Sequence, residues 1–348
     1  MRIVLITGFL LLFALAIWYV NRSPEKTDNL QWADMPALLP LSQKPQSSFL
    51  LTPENAIPAG KNAVYAPAFL FAWDKIKTAL GAPVEITAQQ SPDFILLNNS
   101  HGFEKSLDST EYTAETLVDG KMIEARVFFN KKLPFATVLH RWSNPIAFAN
   151  KEVTAFGLEY ADKEISSQFS MLYYKNDEEF ILRLQPKDST QEIILCKGLR
   201  NRSSLGSLQQ ECDSLILAGK QASAITTNSA LYTINRGDRI GIPVIRFNLD
   251  TRYQSLLNQT FRSGADNYTI TEAYQRTALI LEEHGAVAES EAVAAVDSVT
   301  AAVPAFDRPK FLLFNKPFFL LLRKKEVAAP YFMLWIENAE LLTPYPSK

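Results

Sequence analysis

Gly285-Ala-Val-Ala-Glu-Ser-Glu-Ala-Val-Ala-Ala-Val-Asp-Ser298 is the stretch on which the reading of this chain turns. Its even positions, Ala286, Ala288, Ser290, Ala292, Ala294, Val296 and Ser298, carry small uncharged side chains, while Glu289, Glu291 and Asp297 all fall on odd ones. Successive side chains of a strand point to opposite faces, so one face would carry all three acids and the other none. On a helix Glu289 and Glu291 would lie about 200° apart, one on each side. The pattern fits a segment able to become a half-buried strand. A charge added at Val287 should then stay in solvent, whereas one at Ala288 would be buried. Alanine is also the best helix former, so an alanine-rich helix or plain surface loop stands as the alternative.

Working outward, elements of both kinds can be read. Phe69, Trp73, Ile76 and Leu80 recur at helical spacing between Pro67 and Gly81, and a second helix is expected over about Leu205 to Leu217. Strand-like runs lie at Phe94 to Leu97, Arg126 to Phe129, Phe169 to Tyr174, Phe180 to Leu184, Glu192 to Leu195, Ala230 to Ile234, Pro243 to Asn248, Thr277 to Leu281, Phe311 to Phe314 and Phe318 to Leu322. Strands outnumber helices in the second half with few βαβ alternations. The class is therefore α+β with mostly antiparallel sheet.

Composition excludes more than it assigns. A chain of 348 residues with 47% apolar content can bury a large core, and a net charge of -2 without a Lys/Arg block argues against a nucleic-acid partner. Cys196 and Cys212 allow one disulfide if the chain is exported, or two buried thiols. Arg2 precedes an apolar run from Ile3 to Val20, about the shortest length that spans a bilayer as a helix. Ala14-Leu-Ala16 offers a cleavage site, but the run continues through Ile17, Trp18, Tyr19 and Val20, which favours an uncleaved anchor. Residues 1–20 are thus read as a membrane anchor or signal, with the rest of the chain extracytoplasmic. Six prolines between Asn21 and Gly60 make residues 21–60 an extended spacer.

Catalytic signatures are lacking. No G-x-G-x-x-G, G-x-x-x-x-G-K-[ST], G-x-S-x-G or H-E-x-x-H occurs, and no cofactor or metal is expected. His284 beside Glu282 and Glu283 reads better as a strand-end residue than as a proton-transfer pair. The acidic cluster Glu159, Asp162 and Glu164 reads as a solvated loop rather than a cation site. A non-enzymatic protein is the expectation.

The flanks of the opening stretch carry a resemblance. Thr277-Ala-Leu-Ile-Leu-Glu-Glu-His-Gly285 precedes it, and Phe314-Asn-Lys-Pro-Phe318, an apolar run to Arg323 and Pro330-Tyr-Phe-Met-Leu-Trp335 follow. Together they resemble the C-terminal quarter of a serpin. Asn62-Ala-Val-Tyr-Ala-Pro67, Ala125-Arg-Val-Phe-Phe-Asn130 with Pro134-Phe135, and Ile242-Pro-Val-Ile-Arg-Phe247 with Leu256-Leu257 are similar to other serpin motifs and come in the same order. The resemblance implies a serpin-like domain over residues 61–348, shortened between Asn62 and Phe129, with some of the helices that cover the central sheet missing or reduced.

It further implies a suicide inhibitor of serine or cysteine proteases. The loop after Gly285 would be offered to a target protease, cut, and inserted into the sheet with the acyl-enzyme attached. Hinge positions are then Glu283, Gly285, Ala286, Ala288, Ser290 and Ala292, and the cut bond, about fifteen residues beyond the hinge glycine, falls near Val299-Thr300, with Ala301-Ala302 next in line, which suits an elastase-like pocket. Two departures favour a non-inhibitory binding or scaffold module as the alternative. Ala286 stands where inhibitory members carry threonine or serine, and Glu289 and Glu291 interrupt a stretch that is usually all small residues.

Overall fold

The structure is a computed structural model that describes residues 35–86, 89–119, 122–225, 229–288 and 308–346. Strands are numbered along the chain. Among these residues the largest sheet has seven strands, in the order Phe169–Asn176 (β12), Glu179–Leu184 (β13), Gln191–Lys197 (β14), Phe318–Lys324 (β22), Phe332–Ile336 (β23), Asn62–Tyr65 (β3) and Ser47–Phe49 (β2). Its central strands are apolar runs such as Phe-Met-Leu-Trp-Ile, buried at every residue, as expected where both faces are covered. Every neighbouring pair in it is antiparallel except β2 with β3.

A five-stranded sheet runs Leu39–Pro40 (β1), Ile245–Arg252 (β16), Tyr274–Glu282 (β19), Gly285–Ala288 (β20) and Lys131–Pro134 (β7). A third, of four strands, runs Phe311–Leu313 (β21), Arg239–Pro243 (β15), Ala155–Leu158 (β11) and His140–Arg141 (β8). Smaller pieces are the hairpins Tyr112–Asp119 with Met122–Phe129 (β5, β6) and Ile146–Phe148 with Lys151–Val153 (β9, β10). A ribbon of Val84–Glu85 (β4), Thr260–Ser263 (β17) and Asp266–Thr269 (β18) completes the set. The class is α+β with mostly antiparallel sheet, as the sequence pattern predicts.

Four helices have clear local causes. Ala68–Leu80 (α1) buries Leu70, Phe71 and Trp73, and Gly81 closes it in the left-handed region at φ 68°. Lys163–Ser167 (α3) is capped by the Asp162 carboxylate, which accepts from the Ile165 N–H. In Leu205–Ile225 (α4), Leu205, Leu208, Cys212 and Gly219 are buried on one side, and the helix runs two turns past the expected Leu217. Pro92–Asn99 (α2) overturns the strand expected at Phe94 to Leu97. Ser91 accepts from the Phe94 N–H, Pro92 occupies the first turn, and Phe94 and Leu97, three apart, share the buried side.

Three further expectations need correction. Ala230 to Ile234 is not a strand, because the backbone over Ser229–Tyr232 closes into a 3₁₀ turn. The run Pro243 to Asn248 splits at Val244 into the end of β15 and the start of β16, which belong to different sheets. The proline-rich stretch is not a spacer beyond residue 35. β1 and β2 lie within it, Leu50, Leu51 and Thr52 are buried, and the described residues from 35 onward belong to one compact unit. Pro40 sits in the edge strand β1 and Pro45 and Pro53 in turns, where a missing N–H leaves no gap in a ladder.

Cys196 and Cys212 are both buried free thiols. Ile3 to Val20 lies outside the described residues, and among the described ones no helix is long and apolar enough to cross a membrane.

Candidate functional site

The site begins where β19 turns back on itself. Glu282 pairs with Gly285, so Glu283 and His284 form a two-residue turn, and β20 returns antiparallel to β19 with Leu281 opposite Ala286 and Ile280 opposite Val287. Gly285 sits at φ 144°, a conformation that disfavours any residue with a Cβ and explains a glycine at this turn. Beyond β20 lies β7, with Leu133 opposite Ala286, Lys132 opposite Val287 and Lys131 opposite Ala288. The first four residues of the segment are therefore a strand between two others. Ala286 and Ala288 point into the hydrophobic core.

The turn is clasped from three directions. The Phe135 N–H donates to the His284 carbonyl at 2.9 Å, the Leu139 N–H donates to the Glu283 carbonyl at 2.9 Å, and the Arg141 guanidinium lies 3.2 Å from the Glu283 carboxylate. His284 Nδ1 is 3.3 Å from the buried Glu282 carboxylate, so the histidine serves the turn. Glu159 accepts from the Ser143 N–H and hydroxyl, and Asp162 caps α3. These carboxylates are occupied by local structure, and no metal-holding group of His, Cys, Asp and Glu occurs among the described residues.

One expectation fails here. Val287, on the odd face, is 5% exposed and as buried as its even neighbours, so at this rung both faces are covered and a charge at Val287 is not left in solvent. Alternation separates the two faces correctly. It does not say whether the second face is wet. Of the hinge residues named from sequence, Glu283, Gly285, Ala286 and Ala288 are brought together; Ser290, Ala292, Val299 and Thr300 lie outside the described residues.

Below Ala288 is a charge cluster. Lys131 pairs with Glu111 and lies over the Tyr331 ring at 5.6 Å, and Lys324 reaches Asp108 at 2.7 Å and Glu111 at 3.4 Å. Burial acts to raise the Glu111 pKa, but the Asp108 N–H and the Lys131 ammonium outweigh it and hold the carboxyl below its ordinary value of 4.5. With the folded value below the unfolded one, this stabilisation is present above about pH 4.5 and is lost as the pH falls through the folded value. We expect Glu111→Gln to flatten the acid limb of a Tm-against-pH curve between about pH 5 and 3. A variant whose limb stays as steep as the parent's would exclude this role for Glu111.

The segment returns to the fold through groups that the sequence did not flag. Lys310 and Asp238 are each 1% exposed, with Lys310 Nζ 3.1 Å from the Asp238 carboxylate and donating to the Thr233 carbonyl at 2.9 Å. The other Asp238 oxygen accepts from the Lys310 N–H at 2.8 Å. The next residue, Phe311, opens β21 opposite Arg239 of β15. Lys197 Nζ donates to the Leu313 carbonyl at 2.8 Å and to Asn315 Oδ1 at 2.9 Å, and burial lowers its pKa. Tyr174, beneath Lys310, has its hydroxyl pushed up to about 12 by burial and by its hydrogen bond to Asp177. A lysine or aspartate in a loop gives no periodic signal, so only the folded arrangement reveals these anchors.

No protein-family model matches the chain, and no curated protein does. Solved structures do. Thyroxine-binding globulin in complex with thyroxine matches at 11% identity and a TM-score of 0.37, covering 62% of this chain and 56% of its own. The thermophilic serpin tengpin in its native state matches at 13% and 0.34, covering 64% and 57%. Maspin matches at 13% and 0.34, covering 64% and 60%. The chain thus spans less than two thirds of each of these neighbours, all of them serpins.

Proposed function

We propose that this chain is an exported, serpin-like inhibitor of serine or cysteine proteases that acts through cleavage and sheet insertion of the segment after Gly285. One observation carries the reading: Gly285–Ala288 already forms a strand between β19 and β7, with its even residues in the core. Continued at the same register along β19, Ser290 would meet Thr277, Ala292 would meet Gln275, and Glu291 would meet Arg276. Thr277 and Gln275 are buried on the core side, whereas Arg276, on the other face, would give the acid a partner. Each added rung contributes ~0.5–1.5 kcal/mol net per ladder bond, so a dozen bonds amount to ~10 kcal/mol. The apolar run Ile3 to Val20 supports membrane attachment, and an exported domain is the simpler of the two orientations.

In this reading the protease nucleophile attacks the Val299 carbonyl, the Thr300 amine leaves, and insertion strands the acyl-enzyme before water can hydrolyse it. The test is incubation with an elastase-like serine protease. We expect a cut at Val299-Thr300 by mass spectrometry, a gel-stable adduct, and a Tm for the cut protein far above that of the intact one. Cleavage with neither the adduct nor the rise in Tm would leave a non-inhibitory binding or scaffold module. A second check addresses register: Arg276→Glu should slow the rise in stability after cutting at least tenfold, and Glu291→Arg added to it should restore the rate. Loss without restoration would remove the proposed pairing.

A further inference from the structure

Between residues 36 and 49 the chain crosses from the outer edge of one sheet to the outer edge of another. β1 pairs parallel with β16, Leu39 opposite Leu249 and Pro40 opposite Asp250, and makes the edge of the five-stranded sheet. Within ten residues β2 pairs parallel with β3, Ser47 opposite Asn62 and Phe49 opposite Val64, and makes the edge of the seven-stranded one. The crossing is clasped at its ends. Asn248 Nδ2 donates to the Pro36 carbonyl at 2.8 Å. Glu340 accepts from the Ser47 hydroxyl at 2.7 Å on one carboxylate oxygen and from the Gln46 N–H at 3.2 Å on the other. Asn338 Nδ2 donates to the Gln46 carbonyl at 3.0 Å. Between the clasps Ser42, Gln43 and Pro45 are exposed, while Leu41, partly buried, packs against the core.

We propose that residues 36–49 form a releasable strap that closes both sheet edges and sets the local stability of β16. A two-residue strand and a three-residue strand are weakly held by themselves, and each stays in place because the other end of the span is fastened. Undoing one clasp therefore loosens both edges. Released, β16 and β3 would present unpaired N–H and C=O groups, an arrangement open to pairing with another chain. This holds whether or not the Gly285 segment inserts.

Two full-length variants test it by amide hydrogen exchange. In Glu340→Gln a single carboxamide oxygen replaces two carboxylate oxygens, so either the Gln46 N–H or the Ser47 hydroxyl loses its acceptor. In the other variant Gly-Gly is inserted after Gln43, which gives up the Lys44 N–H bond to the Leu41 carbonyl, leaves both clasps in place and lengthens the span. For either variant we expect exchange in β1, β2 and β16 to speed up at least tenfold relative to β14 and β22, with concentration-dependent association in light scattering. Equal acceleration in all five strands, or a ratio within twofold of the parent's in both variants, would overturn the strap. If Glu340→Gln fails to fold, the insertion variant decides alone.

Discussion

Lys310→Met is expected to destabilise the protein by about 3–5 kcal/mol, because it leaves the Asp238 carboxylate buried without a counter-charge. Both groups are 1% exposed, so solvent cannot take over the lost contact. Two N–H donors would remain on Asp238, those of Lys310 and Asn235, and they hold the carboxylate without neutralising it. Removing the charge from both partners, Lys310→Met with Asp238→Asn, should recover most of the loss, since a buried pair replaced as a pair is often close to neutral. Urea unfolding of the two variants reads both numbers. A single-variant loss below about 1 kcal/mol would mean that the pair contributes little to holding the return of the segment at β21.

Gly219→Ala should reverse the usual sign. In an exposed helix interior this change gains about 1 kcal/mol, since alanine loses less backbone freedom. Here a Cβ on Gly219 would stand 2.0 Å from the Leu172 carbonyl oxygen and 3.1 Å from the Tyr173 Cα, both backbone atoms of β12. No rotamer change relieves a contact with backbone. Helix α4 must move off the sheet, and we expect a loss of about 3 kcal/mol or more, read by chemical denaturation. A gain would show that the helix can shift without loosening the core.

Much of this was legible in the sequence where burial imposes a period. The runs Phe180 to Leu184, Thr277 to Leu281 and Phe318 to Leu322 form strands, and Gly285 with Ala286 and Ala288 forms a strand in a sheet. Phe94 to Leu97 is a short apolar run that looks alike in a helix and in a strand, and the signal that decides for the helix is the Ser91-Pro92 start beside it. The covered odd face at Val287 was illegible for another reason. Periodicity reports which side chains share a face, and what packs on that face is a tertiary fact. Lys310, Asp238 and Lys197 left no trace, since their main partners lie far along the chain.

The order of the seven-stranded sheet bears on how the chain is made. β3, at residues 62–65, is held on one side by β23, at residues 332–336, so its partner leaves the ribosome about 270 residues later. Synthesis proceeds at ~5–20 residues per second, so Ala63, Val64 and Tyr65 wait many seconds with their apolar edge bare. Over that interval the nascent chain displays a strand that any passing partner can capture. A holding chaperone, or passage across a membrane before folding, would shield it until Met333, Leu334 and Trp335 arrive to close the sheet.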